Sequence, residues 1–123
     1  MQTDKTYKVE FNLFMQNYKR GVTDGEEVGR MISRLTQFYA DINDNLCDAT
    51  TAYVSELDRI AGGVDDNGKA MAVNKATITA EATETARRER ELKTDLKNVE
   101  QYINALKFLQ KGILNEYSQM SNI

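Results

Sequence analysis

The chain has 123 residues, 28% of them charged, a net charge of −3, one cysteine, and no proline, tryptophan or histidine. This length fits one domain, and a chain without proline lacks the strongest helix breaker, so we expect a single all-α domain over residues 1–123. The mild negative charge excludes a global basic field for nucleic acid, and no apolar run reaches the roughly 20 residues that span a bilayer.

The compartment is predicted from the cysteine count and the first ten residues. The lone Cys47 excludes an internal disulfide, which suits a reducing environment. The stretch MQTDKTYKVE lacks the apolar run of a signal peptide. We therefore expect a cytoplasmic protein without a membrane association.

The first segment supports two interpretations. Apolar residues at every second position from Tyr7 to Leu13 fit a strand, whereas a spacing of i, i+4, i+7 and i+11 fits a helix: Tyr7, Phe11, Phe14 and Tyr18. Because no other segment alternates, a strand would have no partner. We favour a helix over about residues 4–20, closed by Gly21 as its C-terminal cap.

The second segment begins with a helix start signal. Thr23, followed by Glu26 three residues later, has the pattern of a capping box. Beyond it, apolar residues recur at steps of three and four: Val28, Met31, Leu35, Phe38 and Ile42. We expect a helix over about residues 24–61 that stops at Gly62 and Gly63.

The third segment follows the turn-forming stretch GGVDDNGK, which predicts a loop over residues 62–68. We expect one helix over about residues 69–119. Its first half is rich in Ala and Thr, whereas its second half carries a heptad pattern: Leu92, Leu96, Val99, Ile103, Leu106, Ile113, Tyr117 and Met120.

Helix lengths predict how these segments assemble. At 1.5 Å per residue the second helix is about 55 Å long and the third about 75 Å, and a short loop makes them an antiparallel, coiled-coil-like hairpin. The third helix then extends past its neighbour by about 20 Å. We expect the N-terminal helix to cover this end, with a second copy of the chain as the alternative occupant.

Large apolar side chains that the hairpin leaves uncovered define the predicted interface. A large apolar side chain left in water forgoes about 1.5–3 kcal/mol, so several of them together favour closure and an oligomeric helical bundle. The residues expected to form the self-association or partner interface are Tyr102, Phe108, Leu109, Leu114, Tyr7, Phe11, Phe14 and Tyr18.

Candidate catalytic and metal-binding residues are few in this sequence. Without histidine there is no imidazole base or ligand, and Cys47 has no basic partner in its neighbourhood. The stretch GVDDNGK lacks the first carboxylate and the closing glutamate of a calcium loop. We predict a protein that is not an enzyme and has no catalytic residue, metal or cofactor.

The densest basic cluster is predicted to have one of two roles. Acidic residues are interleaved with it at Glu89, Glu91 and Asp95, which favours a solvated, ion-paired helix face. The alternative is contact with the phosphates of a nucleic acid. The residues concerned are Arg87, Arg88, Arg90, Lys93 and Lys97.

Two stretches, DGEEVGRMISRLTQFYADIN and LKNVEQYINALKFLQKGILNEYS, resemble small all-helical accessory proteins of tailed bacteriophages and related mobile elements. The resemblance covers about half of the chain and carries no functional residue over. It implies a location in the host cytoplasm and a macromolecular partner.

The function predicted from these features is a non-enzymatic interaction protein. It would be a self-associating helical hairpin that binds a protein partner as an adaptor, inhibitor or assembly factor. Two alternatives remain: a nucleic-acid accessory protein for single-strand binding, recombination or replication, and an oligomer that holds a small anionic ligand between its subunits.

Overall fold

The computed structural model describes the backbone of residues 5–121 and the side chains of residues 5–119. Within that range the elements are the α-helices α1 (Thr6–Lys19), α2 (Gly25–Ala61), α3 (Val73–Glu81) and α4 (Glu84–Ser121). The all-α prediction is confirmed, and the long helices α2 and α4 pack against each other, consistent with a hairpin. Asp4, the predicted start of the first helix, and the side chain of Met120 lie outside the described residues.

The aromatic N-terminal segment is a helix and not a strand. It ends as predicted, because Gly21 adopts a φ of 76° that other residues rarely tolerate. The Gly21 amide donates to the Tyr18 carbonyl over 3.0 Å, and the Val22 amide donates to the Asn17 carbonyl over 3.2 Å. These two bonds form a Schellman motif that satisfies the last carbonyls of α1.

The N-terminal cap of α2 lies one residue later than predicted. Asp24 Oδ1 accepts the backbone amide of Glu27 over 2.9 Å, and the Asp24 carbonyl accepts the Val28 amide over 3.2 Å. The predicted capping box from Thr23 to Glu26 is therefore wrong. A carboxylate at this position is the better cap because it also neutralises the positive end of the helix dipole.

The loop after α2 is longer than the predicted 62–68, since α3 begins at Val73. Val64 and Ala70 form an isolated antiparallel bridge, with Gly68 at a φ of 76° between them. Asp65 Oδ1 accepts the amides of Asn67 and Lys69 over 2.9 and 3.0 Å. These side-chain bonds close the turn and make it an ordered connection.

The third predicted helix, 69–119, is broken at residues 82 and 83 into α3 and α4. Thr83 supplies the physical reason, because its hydroxyl contacts the Ala80 carbonyl over 2.6 Å and accepts the Ala86 amide over 3.3 Å. Thr83 thus acts as the cap of α4. Arg90 Nη1 donates to the Glu81 carbonyl over 3.0 Å and satisfies the end of α3.

The chain divides into two compact units, whose boundaries fall inside α2 and α4. The first comprises Met1–Asp41 and Asp95–Ile123, and the second comprises Ile42–Thr94.

In the first unit, α1 lies against both long helices. It runs parallel to α4, since Tyr7 contacts Asp95 and Phe11 contacts Tyr102. It runs antiparallel to α2, since Tyr7 contacts Phe38 and Glu10 contacts Arg34. The buried residues here are Tyr7, Val28, Leu35, Phe38, Asp95, Val99 and Leu106.

The overhang of α4 in this unit is shorter than predicted. Gly25, the first residue of α2, lies against Ile113, and Gly29 lies against Gln110. Residues 114–121 of α4 therefore extend past the start of α2 by about 12 Å, and not by the predicted 20 Å. The break at Thr83 explains the difference, because α3 takes up part of the length assigned to the third helix.

The second unit has a core of small residues. Ile60 packs with Ala76 and Ala80 of α3, and the partly buried side chains around them are Tyr53, Leu57 and Met71. The first half of the third segment, which is rich in Ala and Thr and has few large apolar residues, is thus the part that forms the short separate helix α3.

Candidate interaction surface

A buried polar cluster fixes α1 to α4 in the first unit. Asp95 is fully buried, and its Oδ1 accepts the Tyr7 hydroxyl over 2.5 Å and the Lys5 ammonium over 3.1 Å. Asn98 Nδ2 donates to the Tyr7 oxygen over 3.4 Å. The expectation that Asp95 belongs to a solvated helix face is wrong, because its carboxylate is satisfied inside the unit instead.

The electrostatics of this cluster favour a neutral phenol. Burial raises the pKa of Tyr7 well above its ordinary value, and the hydrogen bond to Asp95 raises that pKa further. Burial acts because a phenolate is poorly solvated in this site, and the hydrogen bond acts because only the neutral phenol can donate a proton to the Asp95 carboxylate. Tyr7 therefore acts here as a hydrogen-bond donor that helps to hold the first turn of α1.

Aromatic contacts extend this attachment along α1. The Phe11 and Tyr102 rings are stacked, with centroids 3.9 Å apart and planes inclined by 1°. The Tyr7 ring lies 6.0 Å from that of Tyr102 and 6.2 Å from that of Phe38. Tyr7 and Phe11 thus pack on α4 within the chain, as expected for the N-terminal helix. Their contacts lie around Tyr102 and not on residues 114–121, so for these two residues the expectation that the N-terminal helix covers the overhanging end is wrong.

On its other flank, α1 is held by an ion pair that includes an aromatic ring. Glu10 accepts two hydrogen bonds from Arg34, over 3.0 and 3.2 Å. The same guanidinium lies over the Phe38 ring, 4.4 Å from its centroid. A cation is thus held between a carboxylate and an aromatic face.

The opposite side of the α2–α4 pair has no residue of α1 in its groove, and we call it the open groove. It holds a cavity of about 270 Å³ lined by Thr36, Tyr39, Glu100, Ile103, Asn104 and Lys107. Helical spacing extends its stripes to Ile32, one heptad before Tyr39, and to Leu114, eleven residues after Ile103. Ile32, Tyr39 and Ile103 are half-buried, and Leu114 is 62% exposed.

The remaining predicted interface residues differ in exposure. Phe14, Tyr18 and Leu109 are half-buried. Phe108 is 78% exposed, although it is one of the largest apolar residues of the chain. It lies one turn after Asn104 on α4, so it stands beside the open groove without lining its cavity.

The basic cluster is largely neutralised by neighbouring groups. Arg87 pairs with Glu84 over 2.6 Å and with Glu91 over 3.4 Å, and Lys93 pairs with Glu89 over 3.2 Å. The hydrogen bond from Arg87 lowers the pKa of Glu84. Together with the contact of Arg90 to the end of α3, these pairs favour the ion-paired interpretation of this face.

Two further positions of the cluster are not explained by these pairs. Lys97 is exposed and Arg88 is half-buried. They lie on α4 in different compact units.

Residues 5–121, the described range, contain one thiol and no clustered metal ligands. No group of three or more cysteine or acidic side chains in that range is placed to hold a metal ion. Cys47 is an exposed free thiol. Within the same range, no helix combines the length and apolarity needed to cross a membrane.

Comparison with known proteins gives no relative. No family model, no curated protein and no solved structure matches the chain. Its function is therefore inferred from its own residues.

Proposed function

We propose that the protein is a non-enzymatic interaction module that self-associates through the open groove. The observation that carries this proposal is the one-sided packing of the α2–α4 pair: α1 covers one groove, while Tyr39 and Ile103 stay half-buried in the other. Leu114, 62% exposed, continues their stripe on α4 just beyond the start of α2. Apolar side chains aligned along such a groove are stabilised when a second helix covers them.

Charges on α4 favour a second copy as the occupant. Glu100 and Lys107 both line the cavity and lie one heptad apart, at about 10 Å along the helix. If two copies pack antiparallel about a twofold axis between Ile103 and Asn104, Glu100 of one copy faces Lys107 of the other. A twofold interface is self-complementary in this way, and it forms both ion pairs at once.

Charge reversal tests the pairing directly. Lys107→Glu places like charges opposite each other, so we expect it to shift the dimer towards monomer by light scattering after size exclusion. The double variant Glu100→Lys with Lys107→Glu restores opposite charges and should restore the dimer. Lys19→Glu is the matched control, because it changes the net charge equally at an exposed position of α1, which has no residue in the open groove.

Two results would refute self-association through this groove. One is a wild-type protein that remains monomeric across concentrations. The other is a dimer that Lys107→Glu and Lys19→Glu weaken to the same extent, since the effect would then come from net charge alone.

We further propose that the exposed Phe108 surface binds a protein partner. Its side chain does not line the cavity of the open groove, and a large exposed aromatic side chain is the type of residue that anchors protein interfaces. Affinity capture from the native cell should recover a partner protein, and nuclease treatment should not remove it. The Phe108→Ser variant should fail to capture this partner, whereas the control Val9→Ser should still capture it. Recovery of nucleic acid alone would instead favour the accessory role for the basic cluster of α4.

A further inference from the structure

A second cavity lies in the first unit, where the turn after α1 meets the C-terminal part of α4. Its volume is about 580 Å³, which is within the range of small-ligand sites. It shares no lining residue with the open groove. The side chains that decide its chemistry are Tyr18, Asp24, Ile113, Glu116 and Tyr117.

These residues combine aromatic rings with negative charge. Tyr18 and Tyr117 supply two phenol rings, while Asp24 and Glu116 supply two carboxylates. None of the described residues that line the cavity is basic. Asp24 Oδ1 accepts the Glu27 amide, but a carboxylate has further lone pairs with which it can accept other donors.

Helix dipoles add to this field. The cavity borders the last two turns of α4, and the last turn of that helix contains no basic residue to offset its exposed carbonyls. Such a C-terminus attracts cations. The nearby N-terminus of α2 has the opposite polarity, but Glu26 and Glu27 in its first turn counter it.

The chain already holds a cation in a similar setting within the same unit. Arg34 lies over the Phe38 ring and is bonded to the Glu10 carboxylate. The second cavity offers the same two elements, an aromatic face and a carboxylate, with space where the guanidinium would lie.

We propose that the cavity between Tyr18 and Tyr117 binds an organic cation, an alkylammonium or guanidinium group. The rings contact its apolar and π-accessible faces, and Asp24 and Glu116 balance its charge. The group could come from a free small amine or from a basic side chain of a protein. Both sources share the chemistry that the cavity recognises.

The two sources can be separated by titration of ¹⁵N-labelled protein. Tetramethylammonium and ethylguanidinium chloride represent free cations, blocked arginine and blocked lysine represent protein side chains, and sodium chloride corrects for ionic strength. We expect saturable shifts of the amides of Gly21, Asp24 and Tyr117. A response to the blocked amino acids without one to tetramethylammonium assigns the site to a basic side chain.

Variants locate the binding site. Tyr117→Leu and Glu116→Gln should each weaken the cation by about three- to tenfold, as expected for the loss of one cation–π contact or one charge. Glu100→Gln is the control, because it removes an acid from the open groove. Lys107→Glu should leave the affinity unchanged, which separates this site from self-association.

Two outcomes would overturn the proposal. Shifts that match those in sodium chloride would show that no specific cation is bound. Shifts that persist unchanged in both Tyr117→Leu and Glu116→Gln, with the fold verified by circular dichroism, would place the binding elsewhere.

Discussion

The two compact units are built from the same kind of element but bury different residues. The first buries large side chains, with no alanine among them: Tyr7, Val28, Leu35, Phe38, Asp95, Val99 and Leu106. In the second, alanines are the majority of the buried hydrophobic residues: Ile42, Ala49, Ile60, Ala76, Ala80, Ala86 and Leu92. A buried methyl group removes far less apolar area from water than a leucine or a phenylalanine.

Helical periodicity alone therefore does not indicate how stable each unit is. In the first unit, apolar area and the buried Asp95 cluster provide the stabilisation. In the second, small residues allow close helix approach, and local caps and turns contribute a larger share.

Truncation of one core residue in each unit should have unequal effects. Leu106→Ala should lower the free energy of unfolding by about 2–5 kcal/mol, because it leaves a cavity in a well-packed core. Ala80→Gly, its counterpart in the second unit, should cost about 1 kcal/mol, mostly through helix propensity. Urea unfolding followed by circular dichroism measures both.

Amide hydrogen exchange refines this first comparison. In the wild type, amides of α3 should exchange faster than those of α4 around Val99 and Leu106, because fewer apolar contacts protect them. Equal costs for the two truncations, or stronger protection in α3, would contradict the contrast between the cores.

Removal of the Tyr7 hydroxyl tests the polar part of the first unit. Tyr7→Phe keeps the ring but deprives the buried Asp95 carboxylate of a donor, so we expect a loss of about 1–3 kcal/mol. Tyr53→Phe in the second unit is the matched control and should change stability by less than about 0.5 kcal/mol.

The Tyr7 effect should depend on pH in a defined direction. The pKa of Tyr7 is raised in the folded state, so its contribution is complete below the unfolded value of about 10 and is lost as the pH rises above it. The stability difference between wild type and Tyr7→Phe should therefore shrink in alkaline solution. A difference that grows with alkaline pH would contradict this assignment.

The sequence predicted the parts of the fold that depend on local patterns. The spacing of the N-terminal aromatics and Gly21 gave α1 and its end, and the steps of three and four gave α2. The cap at Asp24 and the break at Thr83 were missed, because several Ser, Thr and Asp residues in such stretches can cap a helix. Which one does so depends on where the neighbouring elements pack.

The polar cluster could not be predicted from local pattern. Asp95 lies three residues after Leu92 and four before Val99, which places it on the apolar stripe of α4. This position on the stripe predicts burial, but the many charged residues around Asp95 led to the expectation of a solvated helix face. Its partner Tyr7 is 88 residues away in the sequence, so only the packing of α1 on α4 shows that the carboxylate is satisfied.

Loss of a helix cap in either unit should have the smallest effect on the free energy of unfolding. Asp24→Ala in the first unit and Thr83→Ala in the second each remove a side-chain acceptor from a helix N-terminus, at a cost of about 0.5–2 kcal/mol. Asp24→Asn and Thr83→Ser retain an acceptor and should recover most of the loss.

The consequences of the two cap losses should differ in extent. Without its cap, α2 still has the buried Val28 and Leu35 in its first turns, so faster exchange should stay confined to the amides next to Asp24. Loss of the Thr83 hydroxyl should increase exchange across α3 as well, because it also removes the contact to the Ala80 carbonyl. Confinement of the Thr83→Ala effect to the first turn of α4 would show that the alanine core holds α3 without the hydrogen bond from Thr83 to the Ala80 carbonyl.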